Sequence, residues 1–343
     1  MIKLISFIVP SYNSEAYLNR CIDTLLFDLD KIEIIIVNDG SKDRTLKIAK
    51  EYKAKYPKTV SVIDKQNGGH GSGVNAGLAN ATGLYFKVVD SDDWLETDNA
   101  KYLLDTIERH AKEGVSPDLY ITDFLYNKLD EGKSYRRTYK ENFPIEKIID
   151  WNHLIHKFSY SSTLLMHSLV YKTSVLKESN MVLPEHTFYV DNIVSYLPLP
   201  HTKSLYYIEK VVYQYYIGRE DQSIQRHNII RRYEQQIRVF KVIMYAYTYQ
   251  DLQHMPKGLK RYMKHALMDM MIITQMFTTG KYTSQRKTDL KNLWSELKQY
   301  DRMMYKFLKY RSYNTIVSFL PFRLKGFIML QSYLHLTRRI NLG

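Results

Sequence analysis

The sequence predicts an α/β fold, with a mostly parallel, Rossmann-like sheet flanked by helices and then an α-helical C-terminal region. Two observations predict this architecture. Over the first hundred of the 343 residues, short runs rich in β-branched residues alternate with helix-like segments, which is typical of a parallel sheet covered on both faces. After Arg226 the pattern changes to Tyr, Met, Lys and Arg at helical spacings. We therefore predict a first domain over residues 1–225 and a helical region over 226–343.

The predicted elements follow in order along the chain. The strands of the first domain are expected at 4–9, 32–37, 60–63, 85–89, 119–126 and 210–217. The helices are expected at 14–26, 43–56, 73–81, 98–110 and 148–158, and 168–178 forms a further segment. In the C-terminal region, helical spacing covers 229–250, 258–278 and 284–310.

The positive charge is concentrated in the C-terminal third. Residues 226–343 contain 22 Lys and Arg against 6 Asp and Glu, whereas residues 1–225 contain 27 against 30. A basic region beside a nearly neutral one points to an anionic partner, whether a membrane, a nucleic acid or a polymer. The single cysteine, Cys21, cannot form an internal disulfide. With no signal-peptide or membrane-spanning pattern, the sequence predicts a cytoplasmic protein, or one peripheral on the inner face of the cell membrane.

Three carboxylates, Asp90, Asp92 and Asp93, follow the predicted strand at 85–89. Carboxylates this close repel one another, so their clustering favours a bound cation. Open α/β sheets collect their ligands at the carboxyl ends of the strands. Oxygen ligands at that edge suit Mg²⁺ or Mn²⁺ holding a phosphorylated substrate.

Other polar motifs follow neighbouring strands. Pro10-Ser11-Tyr12-Asn13 ends the first strand, Val37-Asn38-Asp39-Gly40-Ser41 ends the second, and a glycine-rich loop begins at Asn67-Gly68 and continues into a helix with Asn75. Each motif alone is also an ordinary turn or cap. Together they indicate one binding edge, because the ends of parallel strands meet on one side of a sheet.

As a set, these motifs resemble the family 2 glycosyltransferases, which are inverting enzymes of the GT-A fold. The resemblance is carried by residues 8–13, 37–41, 75–77 and 89–93; it is strong over 3–125 and fainter to about 225. It implies that 1–125 is the nucleotide-sugar half of the catalytic domain and that 126–225 is the acceptor half.

The resemblance also implies roles for individual residues. The donor would be a nucleotide diphosphate sugar, most often of uridine. Asp92 would coordinate Mn²⁺ or Mg²⁺, and Asp90 would share in the metal shell or contact ribose. The expected donor-binding residues are Pro10, Tyr12, Asn13, Asp39, Asn67, Gly68, Asn75, Asp90, Ser91, Arg219 and Ser223. Asp93 is expected to support this site or to cap a helix.

An inverting transfer needs a general base that takes a proton from the acceptor hydroxyl. The family places this carboxylate well after the Asp-X-Asp motif, and the matching position here is Asp191 in the segment 185–192. A helix cap at Asp191 is the alternative. His70, His167 and Trp94 could contact phosphates or the acceptor, but structural roles explain them as well.

The predicted function is therefore transfer of a sugar to a hydroxyl acceptor, such as a sugar, glycan, glycolipid or glycoprotein, in cell-surface polysaccharide or glycoconjugate synthesis. An amphipathic helix over 321–340, with Arg323 and Lys325 facing anionic lipid, would allow membrane association. Two alternatives stay open: a nucleic-acid-binding protein that uses the basic helices, and a sugar nucleotidyltransferase. The first lacks a recognised nucleic-acid module, and the second lacks a glycine-rich, basic triphosphate loop after the first strand.

Overall fold

The chain divides into two compact units. A computed structural model describes residues 3–158, 162–218, 226–312 and 314–339. The first unit comprises Met1–His156 and Leu164–Tyr216, and the second comprises Lys157–Thr163 and Ile217–Gly343.

A mixed β-sheet forms the centre of the first unit. In the part of the chain that the structure describes, its strands are β1 (Ile5–Ser11), β2 (Ile32–Asp39), β3 (Val60–Lys65), β4 (Tyr85–Val88), β5 (Trp94–Leu95), β6 (Leu119–Lys128), β7 (Lys133–Arg137), β8 (Ile148–Ile149), β9 (Leu169–Lys172) and β10 (Leu205–Tyr216). The order across the sheet is β3-β2-β1-β4-β9-β6-β10-β5, with β7 beside β6 and β8 beside β10.

The directions of the strands show which edge of the sheet carries the strand-end motifs. Strands β3, β2, β1 and β4 run parallel to one another, so their carboxyl ends lie on one side of the sheet. Strand β9 then runs antiparallel to both β4 and β6, while β6 and β10 are again parallel. The predicted α/β fold class is confirmed, and its parallel part is the segment that carries the strand-end motifs.

Helices cover the sheet of the first unit: α1 (Leu18–Leu25), α2 (Thr45–Lys55), α3 (His70–Asn80), α4 (Thr97–Lys112), α5 (Thr173–Glu178) and α6 (Asp191–Val194). Helix α1 shows why the pattern folds this way, because Leu18, Cys21, Ile22 and Leu25 recur at helical spacing and are all fully buried. Burying a Leu or Ile side chain contributes about 1.5–3 kcal/mol. The apolar face of α1 is therefore a main anchor of this helix.

Two glycines let α3 lie unusually close to β1. A Cβ atom on Gly77 would be 2.1 Å from Ile8 Cγ2, and one on Gly73 would be 3.0 Å from Pro10 Cβ. Residues with side chains would push the helix away from the strand. This close packing sets the N-terminus of α3 at the carboxyl edge of the sheet.

The predicted helix at 148–158 is wrong. Ile148 and Ile149 form the short strand β8, antiparallel to β10, and a single 3₁₀ turn follows at Trp151–His153. Trp151 is buried, and its Nε1 donates a hydrogen bond to Thr202 Oγ1 at 2.9 Å. That long-range contact fixes the segment in a way that its local apolar pattern does not reveal.

The second unit is helical. Its described helices are α7 (Arg226–Arg231), α8 (Tyr233–Ala246), α9 (Tyr249–His254), α10 (Lys257–Thr279), α11 (Ser284–Tyr300), α12 (Arg302–Tyr310), α13 (Asn314–Phe319) and α14 (Phe322–Arg339). The helix predicted at 284–310 is broken at Asp301. This residue is the N-cap of α12, and its carboxylate accepts hydrogen bonds from the amides of Met303 and Met304. Within the described ranges, no helix combines the length and the apolar character needed to cross a membrane.

One residue of α14 differs from its predicted placement. Lys325, expected to face lipid, is only 5% exposed. Its Nζ donates a hydrogen bond to Gln275 Oε1 on α10 at 3.3 Å. The lysine lies on the inner face of the helix because Gly326 beside it packs directly against the Thr279 backbone.

Candidate active site

The turn after β1 lies at the edge of the sheet and is fixed by the turn after β2. Asn13 has a positive φ of 49°. Its amide donates to Ser41 Oγ at 3.1 Å, and its Oδ1 accepts from the Lys42 amide at 2.9 Å. Pro10 is buried beneath α3, whereas Tyr12 is 49% exposed. Of the residues predicted in this turn, Tyr12 therefore has the ring that is open for stacking.

Asp39 fixes the glycine-rich loop. Its carboxylate is 3% exposed and accepts hydrogen bonds from Lys65 Nζ at 2.8 Å, the Gly68 amide at 2.9 Å and the Gly69 amide at 2.7 Å. Asn67 Nδ2 donates to the Asp39 carbonyl at 2.8 Å. The structure thus places three predicted donor-site residues together, with their polar groups bonded to one another. Their contact with a nucleotide stays a prediction.

The glycine-rich loop is joined to a distant loop, residues 183–187, by a set of contacts that we call the loop clamp. Asn75 exchanges two hydrogen bonds with the Leu183 backbone, at 2.8 and 3.0 Å, across 108 positions of sequence. Ser72 Oγ donates to Glu185 Oε1 at 2.9 Å, and the His186 amide donates to the Gly68 carbonyl at 2.7 Å. The clamp brings the segment that leads into Asp191 to the edge of the parallel sheet.

The acidic turn after β4 separates its carboxylates by environment. Asp93 is fully buried; it accepts hydrogen bonds from the Tyr213 hydroxyl at 2.6 Å and the Tyr216 amide at 2.8 Å. Burial raises the pKa of Asp93 well above its usual range, and the negative charges of Asp92 and Asp90 add to this effect. Asp93 therefore ties the acidic turn to β10. It does not cap α4, whose N-cap is Glu96.

The other members of the turn are less buried. Arg20 Nη2 donates to the Asp92 carbonyl at 2.7 Å, and the Arg20 guanidinium lies 4.0 Å from the centre of the Trp94 ring. Ser91 Oγ is hydrogen-bonded to Ser14 Oγ at 2.7 Å. The Trp94 face that Arg20 covers is thus already in a stacking contact within the protein.

His70, the first residue of α3, lies against Asp90. His70 Nε2 is 2.7 Å from Asp90 Oδ1, with 31% and 24% of the two side chains exposed. Burial lowers the pKa of His70, but the Asp90 carboxylate outweighs that effect, so the net pKa is raised. Burial likewise raises the pKa of Asp90, yet His70 brings the net pKa below its ordinary value. The two side chains form a hydrogen-bonded pair, which is an ion pair when His70 is protonated, and the sequence patterns did not reveal it.

Asp191 belongs to the same electrostatic group. Burial raises its pKa to about 6; the His70 charge opposes this shift and the Asp90 charge adds to it. Asp191 is the first residue of α6, whose N-cap is Val190 and not Asp191. A carboxylate with this pKa can accept a proton near neutral pH.

A deeper group of side chains could hold a metal ion. Among the described residues, Asp90, Asp93 and His167 place ligand atoms within 4.8 Å of one another. His167 Nδ1 is buried without a hydrogen-bond partner in the described part of the chain, and burial lowers the pKa of His167 to about 4, which keeps the imidazole neutral. A neutral imidazole and a carboxylate fit a divalent transition metal such as Mn²⁺.

This group differs from the predicted ligand pair of Asp92 and Asp90. Asp90 is common to both, whereas His167 was assigned no metal role from sequence. Both oxygens of Asp93 already accept hydrogen bonds. Asp90 and His167 therefore fit an ion best within the group, and a role for Asp92 stays a prediction. Arg219 and Ser223 lie outside the described residues.

Two tyrosines near Asp191 were also missed from sequence. Burial raises the pKa of both Tyr126 and Tyr215, and the Asp191 charge contributes to each shift. The Tyr215 ring lies 4.3 Å from the ring of His167. Tyr215 lies near the end of the strand predicted at 210–217, four residues before Arg219, so its position was a usable signal.

Comparison with known proteins supports the motif-based resemblance. Residues 6–169 match the family model for glycosyl transferase family 2. The chain is 30% identical over 245 residues to EpsH of Bacillus subtilis (strain 168), whose name assigns it to the glycosyltransferases. That match covers 68% of this chain and 64% of EpsH, so the chain spans less than two thirds of this relative.

Solved structures share the fold. Staphylococcus aureus TarS 1–349 in complex with UDP-GlcNAc superposes with a TM-score of 0.66 at 20% identity, covering 97% of this chain and 92% of that one. TarS is named as a poly(ribitol-phosphate) beta-N-acetylglucosaminyltransferase. A mannosyltransferase from Pyrobaculum calidifontis in complex with GDP-Man and Mn²⁺ gives 0.51 at 14% identity, covering 89% and 84%.

Proposed function

We propose that this chain, which belongs to glycosyl transferase family 2 through residues 6–169, moves a sugar from a nucleotide diphosphate donor to a hydroxyl acceptor with inversion. The observation that carries the proposal is the pairing of His70 with Asp90, at 2.7 Å, within the electrostatic reach of Asp191. Two carboxylates from distant parts of the sequence, one after β4 and one opening α6, act on the same imidazole. Inverting transfer needs one group that stabilises the charge of the leaving group and another that takes the proton of the acceptor.

Asp191 is the proposed general base. Its raised pKa of about 6 makes it a better proton acceptor than an ordinary aspartate, while it is still largely ionised at pH 7. A single base and a direct displacement invert the anomeric carbon, since no covalent intermediate forms. Positioned general bases contribute about 10²–10⁴-fold to rate.

The proposed role of the acidic turn is to stabilise the leaving group. A departing nucleoside diphosphate gains negative charge, and a divalent ion bound there would stabilise that charge as a Lewis acid. Asp90 and His167, with Asp92 from the motif, are the proposed holders of Mn²⁺ or Mg²⁺. His70 contributes a cation at the N-terminus of α3, where backbone amides also favour an anion.

The proposed donor carries a uridine nucleotide. TarS binds UDP-GlcNAc in its crystal structure and is similar in fold over almost the whole chain, and the exposed Tyr12 offers a ring for the base. A hydroxyl acceptor in polysaccharide or glycoconjugate synthesis is part of the same proposal. The mannosyltransferase structure with GDP-Man makes guanosine donors the necessary comparison.

The test is a donor screen with Mn²⁺ or Mg²⁺, using UDP-GlcNAc, UDP-glucose, UDP-galactose and GDP-mannose, with the anomeric configuration of the product read by NMR. We expect one UDP-sugar to turn over, with inversion in the transfer product. Asp191→Asn should reduce transfer by about 10²–10⁴-fold and leave donor affinity unchanged. Asp150→Asn is the matched control, because Asp150 is an exposed carboxylate that also pairs with a histidine, His153.

Each result has a clear meaning. Loss of donor affinity in Asp191→Asn would place this carboxylate in the donor site and remove it as the base. A retained anomeric configuration would contradict the single-displacement mechanism. Turnover of a nucleoside triphosphate with a sugar phosphate would favour a nucleotidyltransferase instead.

A further inference from the structure

The charges on α11 are segregated between two faces. Lys287, Lys291 and Lys298 recur at helical spacing on one face. The two carboxylates, Asp289 and Glu296, are bonded to α8 instead: Asp289 accepts from the Tyr233 hydroxyl, and Glu296 from Lys241 and Tyr245. The lysine face therefore has no carboxylate from α11 to balance its charge.

These lysines line a cavity of about 360 Å³, which we call the lysine pocket. Its lysines are Lys287, Lys291, Lys298, Lys309 and Lys325. Among the residues that the structure describes, none of the five forms an ion pair with a carboxylate. Like charges in one pocket repel, so a bound anion would stabilise the arrangement.

Lys325 connects the pocket to buried polar side chains of α10 and α13. Lys325 bonds to Gln275, which in turn donates to Asn314 Oδ1 at 2.9 Å. Burial, together with the Lys309 ammonium, lowers the pKa of Lys325 to about 8. Ser318 also lines the pocket, and its buried hydroxyl has no hydrogen-bond partner within the described ranges. An ammonium and a free hydroxyl in one cavity suit a phosphate oxygen.

The helices that supply Ser318 and Lys325 also expose apolar side chains to solvent. This outer face consists of Ile316, Phe319, Leu324, Phe327 and Ile328, which are 76%, 64%, 45%, 64% and 39% exposed. On α14, Lys325 is thus buried while Leu324, Phe327 and Ile328 are exposed. Such a face is costly in water and is expected to meet an apolar environment.

We propose that the lysine pocket binds the phosphate of an anionic phospholipid while the outer face of α13 and α14 enters the headgroup boundary of the membrane. Charge complementarity favours lipid over a second copy of this chain, because a symmetric contact would bring two lysine-rich faces together. A phosphate beside an acyl boundary satisfies both the pocket and the apolar face. The inference concerns the second unit alone and does not depend on the transfer reaction.

The experiment is co-sedimentation of the full chain with vesicles of phosphatidylcholine, with and without phosphatidylglycerol. We expect binding to the anionic vesicles. Lys291→Glu/Lys298→Glu should weaken it by about tenfold or more. The matched control, Lys47→Glu/Lys50→Glu on α2, changes net charge equally at exposed lysines outside the pocket and should retain binding.

The apolar face is tested separately with Leu324→Ser/Phe327→Ser. Its control, Leu129→Ser/Val182→Ser, alters residues that are 45% and 71% exposed in the first unit. Only the α14 variant should lose vesicle binding. Circular dichroism melting checks that every variant is folded, and donor hydrolysis without vesicles reports the catalytic unit independently.

Three outcomes would overturn the proposal. Equal losses from the two lysine pairs would show a general charge effect and no pocket. Binding of glycerol phosphate at the pocket, with vesicle binding unaffected by the α14 variant, would assign it to a free phosphate ligand. Self-association that the α14 variant abolishes, without any vesicle binding, would assign the outer face to a second copy.

Discussion

Replacing Gly77 with alanine tests whether the close packing of α3 on β1 is required. An added Cβ would lie 2.1 Å from Ile8 Cγ2, 3.1 Å from Ile8 Cγ1 and 3.2 Å from Ile8 Cβ. Ordinary carbon contacts are about 3.5–4.0 Å, so the helix would have to move by more than an ångström.

Two opposing effects set the expected magnitude. Alanine is better than glycine inside a helix by about 1 kcal/mol, whereas overpacking a core costs about 1–3 kcal/mol. Because Ile8 is fully buried in the central sheet, we expect overpacking to dominate, with a net loss of up to about 2 kcal/mol. Ile8→Ala alone should cost about 2–5 kcal/mol through the cavity that it leaves.

The double variant Gly77→Ala/Ile8→Ala distinguishes overpacking from an unspecific loss of stability. Ile8→Ala removes both γ-carbons that the new Cβ would strike, so the double variant should be more stable than the sum of the two effects by about 1–2 kcal/mol. Gly73→Ala is the control: its Cβ would meet Pro10, and its effect should add to that of Ile8→Ala.

The assay is urea unfolding followed by tryptophan fluorescence in a Trp294→Phe background. Of the three tryptophans, Trp94 and Trp151 then remain as reporters of the first unit. A Gly77→Ala protein that is more stable than its parent would refute the reasoning, and so would strict additivity with Ile8→Ala.

Three further predictions concern the site. Since the pKa of Asp191 is about 6 and the base must be ionised, the transfer rate should fall about tenfold per pH unit below that value; a flat profile there would exclude it as the base. Tyr213→Phe removes the hydroxyl that donates to Asp93 at 2.6 Å and should cost about 1–3 kcal/mol in urea unfolding, whereas unchanged stability would mean that the bond contributes nothing. Burial lowers the pKa of Lys87 from 10.5 to about 7, so the unfolded chain binds the lysine proton more strongly than the folded protein does. The free energy of unfolding should therefore rise with pH between these two pKa values. Lys87→Met should flatten this rise, and an unaltered slope would contradict the role given to Lys87.

The edge of the sheet could be predicted from sequence because its signals are local. Buried parallel strands read as continuous apolar runs, and the polar residue after each run marks the carboxyl end. Asp39 and Asp90 were located in this way. The family resemblance and the fold class are confirmed, and the roles of individual site residues stay predictions.

Contacts between distant segments could not be predicted in the same way. The pairing of His70 with Asp90 depends on the depth at which α3 packs on β1, and the bonds between Asn75 and Leu183 join positions 108 apart. The failed helix at 148–158 has the same cause, since Trp151 is fixed by Thr202. Local periodicity contains no information about such partners.

The loop clamp limits how the site can admit its substrates. Gly68 donates its amide to Asp39 and accepts from His186 through its carbonyl, so the end of β2 and the loop before Asp191 are joined through one residue. The clamp therefore couples the glycine-rich loop to the segment that leads to the proposed base. Opening of the site between these two loops would have to break the hydrogen bonds of the clamp.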